Sequence, residues 1–183
     1  MTNKLLFLII LFPFYTACLA QTYSSVISDK DIVDFIHWKL YESPEDSAAK
    51  KYFSFSASIL KWQKEDLQCY DSMFNTGNNF FCIYNDQNKF LDTILNLNDK
   101  KFIVKQSNAG NGSKWLIEKP KNRKAEKGHD YYFSLPLFSV DKKYAMLREV
   151  FYCGPRCGGA AIILYKQTET GWFIYSRLQD IVF

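Results

Sequence analysis

The chain has 183 residues, with 23 Lys and Arg against 19 Asp and Glu and a net charge of +4. That excess is too mild to imply a nucleic-acid partner, which calls for a concentrated basic face. Aromatics make up 17% of the residues, with 16 Phe and 12 Tyr, and because large rings are enriched in strands and bury the most area they are assigned to the core of a sheet-rich protein.

Residues 1–20 hold one basic residue, Lys4, an apolar run from Leu5 to Phe12 and no acid. This is the pattern of a secretory signal peptide, and the run falls short of the roughly 20 apolar residues that span a bilayer. Two cleavage readings compete. Cys18-Leu19-Ala20 before Gln21 suits removal of the whole segment and soluble export. Tyr15-Thr16-Ala17-Cys18 resembles a lipoprotein signal, with Cys18 as the lipidated residue and the only link to a membrane. The expected location is therefore periplasmic or extracellular, or a membrane surface reached through Cys18. Removing the first 20 of 183 residues leaves 163, a length for one domain with its own core, so residues 21–183 are read as a single α+β domain.

Gln21 to Ile27 reads as a linker. Ser28 then caps a helix, Asp31 completes a start like a capping box, and Ile32, Val33, Phe35, Ile36 and Leu40 share one face. His37 sits at the border of that face and Trp38 outside it. With no Cys, Asp or second His at i+3 or i+4, His37 is read as a partly buried structural histidine. Ser43-Pro44 closes the helix, and Pro44 to Lys51 reads as a second, short one. Phe53 to Ile59 alternates apolar residues with Ser54, Ser56 and Ser58, the pattern of a strand packed on one side and wet on the other. Lys64 to Phe74 is expected to be helical with Leu67, Tyr70 and Phe74 inward, followed by a turn at Asn75 to Asn79 and a short apolar segment from Phe80 to Tyr84. Asp86 caps a further helix carrying Phe90, Leu91, Ile94, Leu95 and Leu97. Lys101 to Lys105 and Lys114 to Ile117 are expected as strands around a turn from Asn108 to Ser113. Lys114 to Lys127 is basic and reads as a solvated loop.

From Tyr131 to Arg177 the chain reads as a four-stranded antiparallel meander. Tyr132 to Val140, Tyr144 to Cys153, Ala160 to Tyr165 and Trp172 to Arg177 are the strands. Asp141-Lys142-Lys143, the Cys153-Gly154-Pro155-Arg156-Cys157 segment and Gln167 to Gly171 are the turns. Trp172, Ile174 and Ser176 point one way and Phe173, Tyr175 and Arg177 the other. The whole is an α+β fold, with N-terminal helices packed on one face of an antiparallel sheet.

Four cysteines follow the leader: Cys69, Cys82, Cys153 and Cys157. Export makes disulfides the default, and pairing Cys153 with Cys157 and Cys69 with Cys82 brackets one turn each. Neither spacing is the two-residue knuckle of a thiolate zinc site, and Cys153 and Cys157 stand one residue further apart than a Cys-x-x-Cys redox pair. Gly-x-Ser-x-Gly, His-Glu-x-x-His, phosphate-cradling and calcium-loop patterns are absent, and His37 and His129 are the only histidines. No catalytic, metal or cofactor residue is assigned. The expected function is a non-catalytic binding or interaction protein of the cell envelope, its ligand or protein partner unknown. The alternatives are a cell-envelope hydrolase using carboxylates and a thiol–disulfide protein acting through Cys153 and Cys157.

Phe133-Ser134-Leu135-Pro136-Leu137-Phe138-Ser139, Tyr144-Ala145, the Cys153-Gly154 to Cys157-Gly158-Gly159 turn and Gly171-Trp172 together resemble the ending of small exported proteins of Gram-negative bacteria with no assigned activity. The resemblance covers about fifty residues and implies no catalytic residue. More distantly, early helices followed by a curved meander ending in Gly-Trp are similar in shape to nuclear-transport-factor-like domains. The helical stretch from Asp86 to Leu97 departs from that order.

Overall fold

The computed structural model describes residues 23–43, 54–69, 80–81, 87–118 and 129–182. The leader with Cys18, the second short helix, the turn at 75–79, Asp86, Cys82 and most of the basic loop lie outside them. Among the described residues no helix is long and apolar enough to cross a membrane.

Helix α1 spans Asp29–Tyr41. The Ser28 hydroxyl accepts the Asp31 amide at 3.2 Å and donates to the Asp31 carboxylate, so the expected cap forms. The buried face comprises Ile32, Phe35, Ile36, Trp38, Lys39 and Leu40. Trp38 is 7% exposed, inside the arc that sequence spacing left it out of. Its indole lies against Gly171, where an added Cβ would stand 2.9 Å from Nε1. Close packing of α1 on the sheet therefore requires glycine at that position.

Strand β1, Ser54–Leu60, buries Phe55 and Ile59 and leaves Ser58 exposed, as its alternation predicts. A four-residue helix α2, Lys64–Leu67, is shorter than expected; the chain passes directly into strand β2, Gln68–Cys69, which pairs antiparallel with β3, Phe80–Phe81. Strand pairing overrides the local helical pattern there. Helix α3 spans Gln87–Ile94 and α4 spans Leu97–Ala109.

Helix α4 replaces the strand expected over Lys101 to Lys105. Its start is a capping box, in which Asn96 accepts the amides of Asn98 and Asp99 and Asp99 accepts the Asn96 amide. Its buried residues are Asp99, Ile103 and Gln106. They follow helical spacing, but two are polar, so hydrophobic periodicity does not mark them. Both bond the backbone at β5 and the turn after it: Asp99 accepts the Val140 amide at 2.9 Å, and Gln106 accepts the Phe138 amide at 2.9 Å and donates to its carbonyl at 2.7 Å. Lys114 to Ile117 is likewise not a full strand. It contributes one bridge, Lys114 to Ser58, and covers the outer edge of β1 through Ile59 to Ser113 and Trp115 to Ala57 backbone bonds.

The remaining strands are β4 (His129–Ser134), β5 (Leu137–Phe138), β6 (Tyr144–Gly154), β7 (Cys157–Thr168) and β8 (Gly171–Val182). The first expected meander strand is thus two, both paired with β6 and broken at Leu135-Pro136, where proline offers no amide to the ladder. The Leu135 carbonyl accepts the Trp62 indole N–H instead. Strand order is β1-β4-β6-β7-β8. All pairs are antiparallel except β1 with β4, so the sheet is mixed and not wholly antiparallel. The chain between those two strands runs through helices α2 to α4, the long crossover that parallel pairing needs.

Core residues alternate along β6 and β7. Ala145, Leu147, Ile163 and Tyr165 join α1, Phe55 and Trp115 in one cluster. Met146, Ile162 and Leu164 join Leu91, Leu95, Ile103 and Leu178 in another. Helices thus meet the sheet from both faces, where sequence patterning placed them on one. A strand buried on both faces reads as an unbroken apolar run, which is why Ile162 to Tyr165 shows no alternation.

Candidate functional site

Among the described residues three arrangements carry chemistry beyond packing. The first is a charged group inside the α1 core. Lys39 and Glu149 are 1% and 3% exposed, with Nζ 2.8 Å from Oε1. Tyr165 donates to Oε1 at 2.6 Å, Tyr131 donates to Oε2 at 2.8 Å, and Lys39 donates to the Tyr165 hydroxyl at 2.7 Å. Desolvating two charges costs several kcal/mol each, and only this density of hydrogen bonds offsets it. Sequence reasoning missed the group. Its signal was present: Lys39 stands three residues after Ile36 in the apolar stripe of α1, and Glu149 continues the inward row Ala145, Leu147 of β6.

The second is the disulfide hairpin. Cys153 and Cys157 are joined, with their Cα atoms 5.0 Å apart, as the bracketing of the turn predicts. Gly154, at φ +131°, turns the chain, and an added Cβ there would meet nothing, so backbone conformation alone selects glycine. The β6–β7 ladder steps from Tyr152 opposite Gly158 to Gly154 opposite Cys157, so Cys153 is a bulge residue without a β7 partner. Across β4 it stands opposite His129. Cys157 is exposed and Cys153 half-buried. Closing so short a loop adds only about 2 kcal/mol in the chain-entropy model, and its main effect is on turn shape. The other expected disulfide, Cys69 with Cys82, falls outside the described residues.

The third is the outer side of β8. Phe173 and Tyr175 are 40% and 37% exposed. Tyr175 stacks on Phe90 with ring centres 5.8 Å apart and meets Tyr144 edge-on, and the Lys166 ammonium lies 5.4 Å from its centre. These side chains come from α3, β6, β7 and β8. Phe173, Tyr175 and Arg177 are the exposed positions of the segment, but the bulge at Tyr175 breaks the alternation read from the sequence: Phe173 stands opposite Lys166 and Arg177 opposite Ile163, on different faces of the sheet. β8 is also an edge strand: among the described residues no strand pairs along its free backbone edge. Bulges at Tyr175 and Leu178 shorten the regular stretches available for pairing.

Other sequence candidates are dispersed. His37 is exposed and not partly buried; it stacks on Tyr41 and lies 3.7 Å from Glu42, because the helix turns that position to the solvent. A cleft of about 120 Å³ lies between Ile59, Trp62, Ser107, Gly110 and Leu135, well under the several hundred Å³ of a usual small-molecule site. The described residues contain no group of three or more His, Cys, Asp or Glu placed to hold a metal. Comparison with known protein families, with curated proteins and with solved structures finds no match to the chain.

Proposed function

We propose that the protein is an exported, non-catalytic binding protein of the cell envelope, and that it contacts its partner through the outer side of β8. The single observation that carries the reading is the exposed aromatic pair Phe173 and Tyr175, held on an edge strand beside Lys166. Aromatic side chains anchored by their neighbours provide contact area at low entropic cost and are enriched at binding hot spots. An unpaired strand edge adds backbone donors and acceptors for an extended segment of a partner. The leader pattern of residues 1–20 supplies the compartment. The alternative of a hydrolase asks for carboxylates directed at a substrate, whereas the two that are buried among the described residues serve the fold: Glu149 is bound to Lys39 and two tyrosines, and Asp99 caps α4 and holds Val140.

Cosedimentation of the purified chain with washed envelope fractions tests the reading. Wild type is expected to bind saturably, and Phe173→Ser with Tyr175→Ser to lose about thirtyfold in affinity, the scale of a truncated aromatic hot spot. Equal binding by the two proteins contradicts it.

A further inference from the structure

We propose that the Cys153–Cys157 hairpin is a thiol–disulfide exchange site, in which an external thiolate attacks Cys157 and Cys153 leaves beside His129. The inference stands apart from the binding surface on β8 and does not depend on it. Three features of the hairpin distinguish the two sulfurs. Cys157 follows the turn directly and is exposed, which gives a thiolate access to its Sγ. Cys153 is half-buried and sits at the bulge, where the ladder with β7 does not hold it in register. His129 is opposite Cys153 on β4, and residues directly opposite in an antiparallel pair project their side chains to the same face with Cβ atoms about 5 Å apart. Arg156 places a positive charge in the turn between the cysteines.

An imidazole beside Cys153 that takes up a proton favours the thiolate of that sulfur, and a better-stabilised thiolate leaves faster. The co-reactant is a thiol, small or on a protein. Its proton is released as it ionises, its sulfur bonds to Cys157 Sγ, and the Cys153–Cys157 bond breaks with the electron pair going to Cys153. The released proton is taken up by Cys153 or His129. A second thiol then attacks the mixed disulfide, giving reduced Cys157 and the external disulfide. The hairpin gains the two electrons that the two thiols lose. The same steps reversed pass an oxidising equivalent back.

The test uses the folded, oxidised chain with reduced glutathione at neutral pH, acid quenching and peptide mass mapping. The expected result is an adduct at Cys157 at least about tenfold over Cys153, formed without unfolding. A dominant adduct at Cys153, or reaction only after denaturation, overturns the proposal. A second measurement follows alkylation of Cys153 against pH in the reduced protein. Its midpoint is expected below the ordinary thiol value of about 8.5, and in His129→Gln reaction at pH 7 should fall about tenfold as the midpoint moves up by about one unit. A wild-type midpoint at the ordinary value, or a folded His129→Gln variant with an unchanged profile, overturns it.

Discussion

On the α1 side of the sheet Lys39, Glu149, Tyr131 and Tyr165 are bonded together among aromatic rings, whereas on the α3 and α4 side Leu91, Leu95 and Ile103 meet Met146, Ile162, Leu164 and Leu178. Both surfaces belong to the same two strands, and neighbouring residues of β6 and β7 point into one or the other. Aliphatic packing is non-directional and accepts changes that conserve volume. A buried ion pair accepts almost none, because each partner left alone is an unpaired charge in a poor solvent for it. The contrast indicates that the polar group sets where α1 sits, while the opposite face supplies bulk burial.

The largest effect should come from breaking the polar side. Glu149→Ala leaves the Lys39 ammonium without its carboxylate and should cost about 3–5 kcal/mol in urea unfolding. A loss under about 1 kcal/mol would mean the ammonium reaches water and the group does not organise the core. Leu95→Ala on the other face should cost about 3 kcal/mol through the cavity it leaves. Leu95→Met should cost less than about 1.5 kcal/mol. If the conservative swap is as harmful as the truncation, the aliphatic face is no more tolerant than the polar one.

Helix α1 was legible because most of its apolar residues keep a helical period, and the meander because Gly, Pro and Asp mark the turns between its apolar runs, although Ile162 to Tyr165 does not alternate. Helix α4 was not, since Asp99 and Gln106 occupy its buried face and present a polar pattern, although Asn96 and Asp99 carried a capping signal three residues apart. The parallel pairing of β1 with β4 is long-range and leaves no local mark. Of the candidate sites, the disulfide was readable from the cysteine spacing. The Lys39–Glu149 pair was masked by the rule that charged residues stay outside, and the place of His129 opposite Cys153 depends on strand register.

The smallest effect sharpens the seating of α1 from outside. Burial pushes the Asp31 carboxyl up, but hydrogen bonds from Lys142 and Ser28 and the Lys142 charge outweigh it and hold the group below its usual range. A carboxyl lowered in the folded state contributes stability above its unfolded value, near 3.8, and loses it as pH falls through the lower folded one. Asp31→Asn should therefore cost under about 1 kcal/mol at neutral pH, because the pair is partly solvated, and should flatten the acid limb of the stability curve. An unchanged acid limb would show that the Lys142 contact does not tie α1 to the β5–β6 turn.

The measurement that tests the central claim most directly is a double-mutant cycle of Lys39→Met and Glu149→Leu, read as unfolding free energies. The expected coupling is about 1.5–3 kcal/mol, with the double variant far less destabilised than the sum of the singles, because each single change strands a buried charge that the double removes. Additivity within about 0.5 kcal/mol would contradict the account, and would show that the two residues do not act as one unit in seating α1 on the sheet.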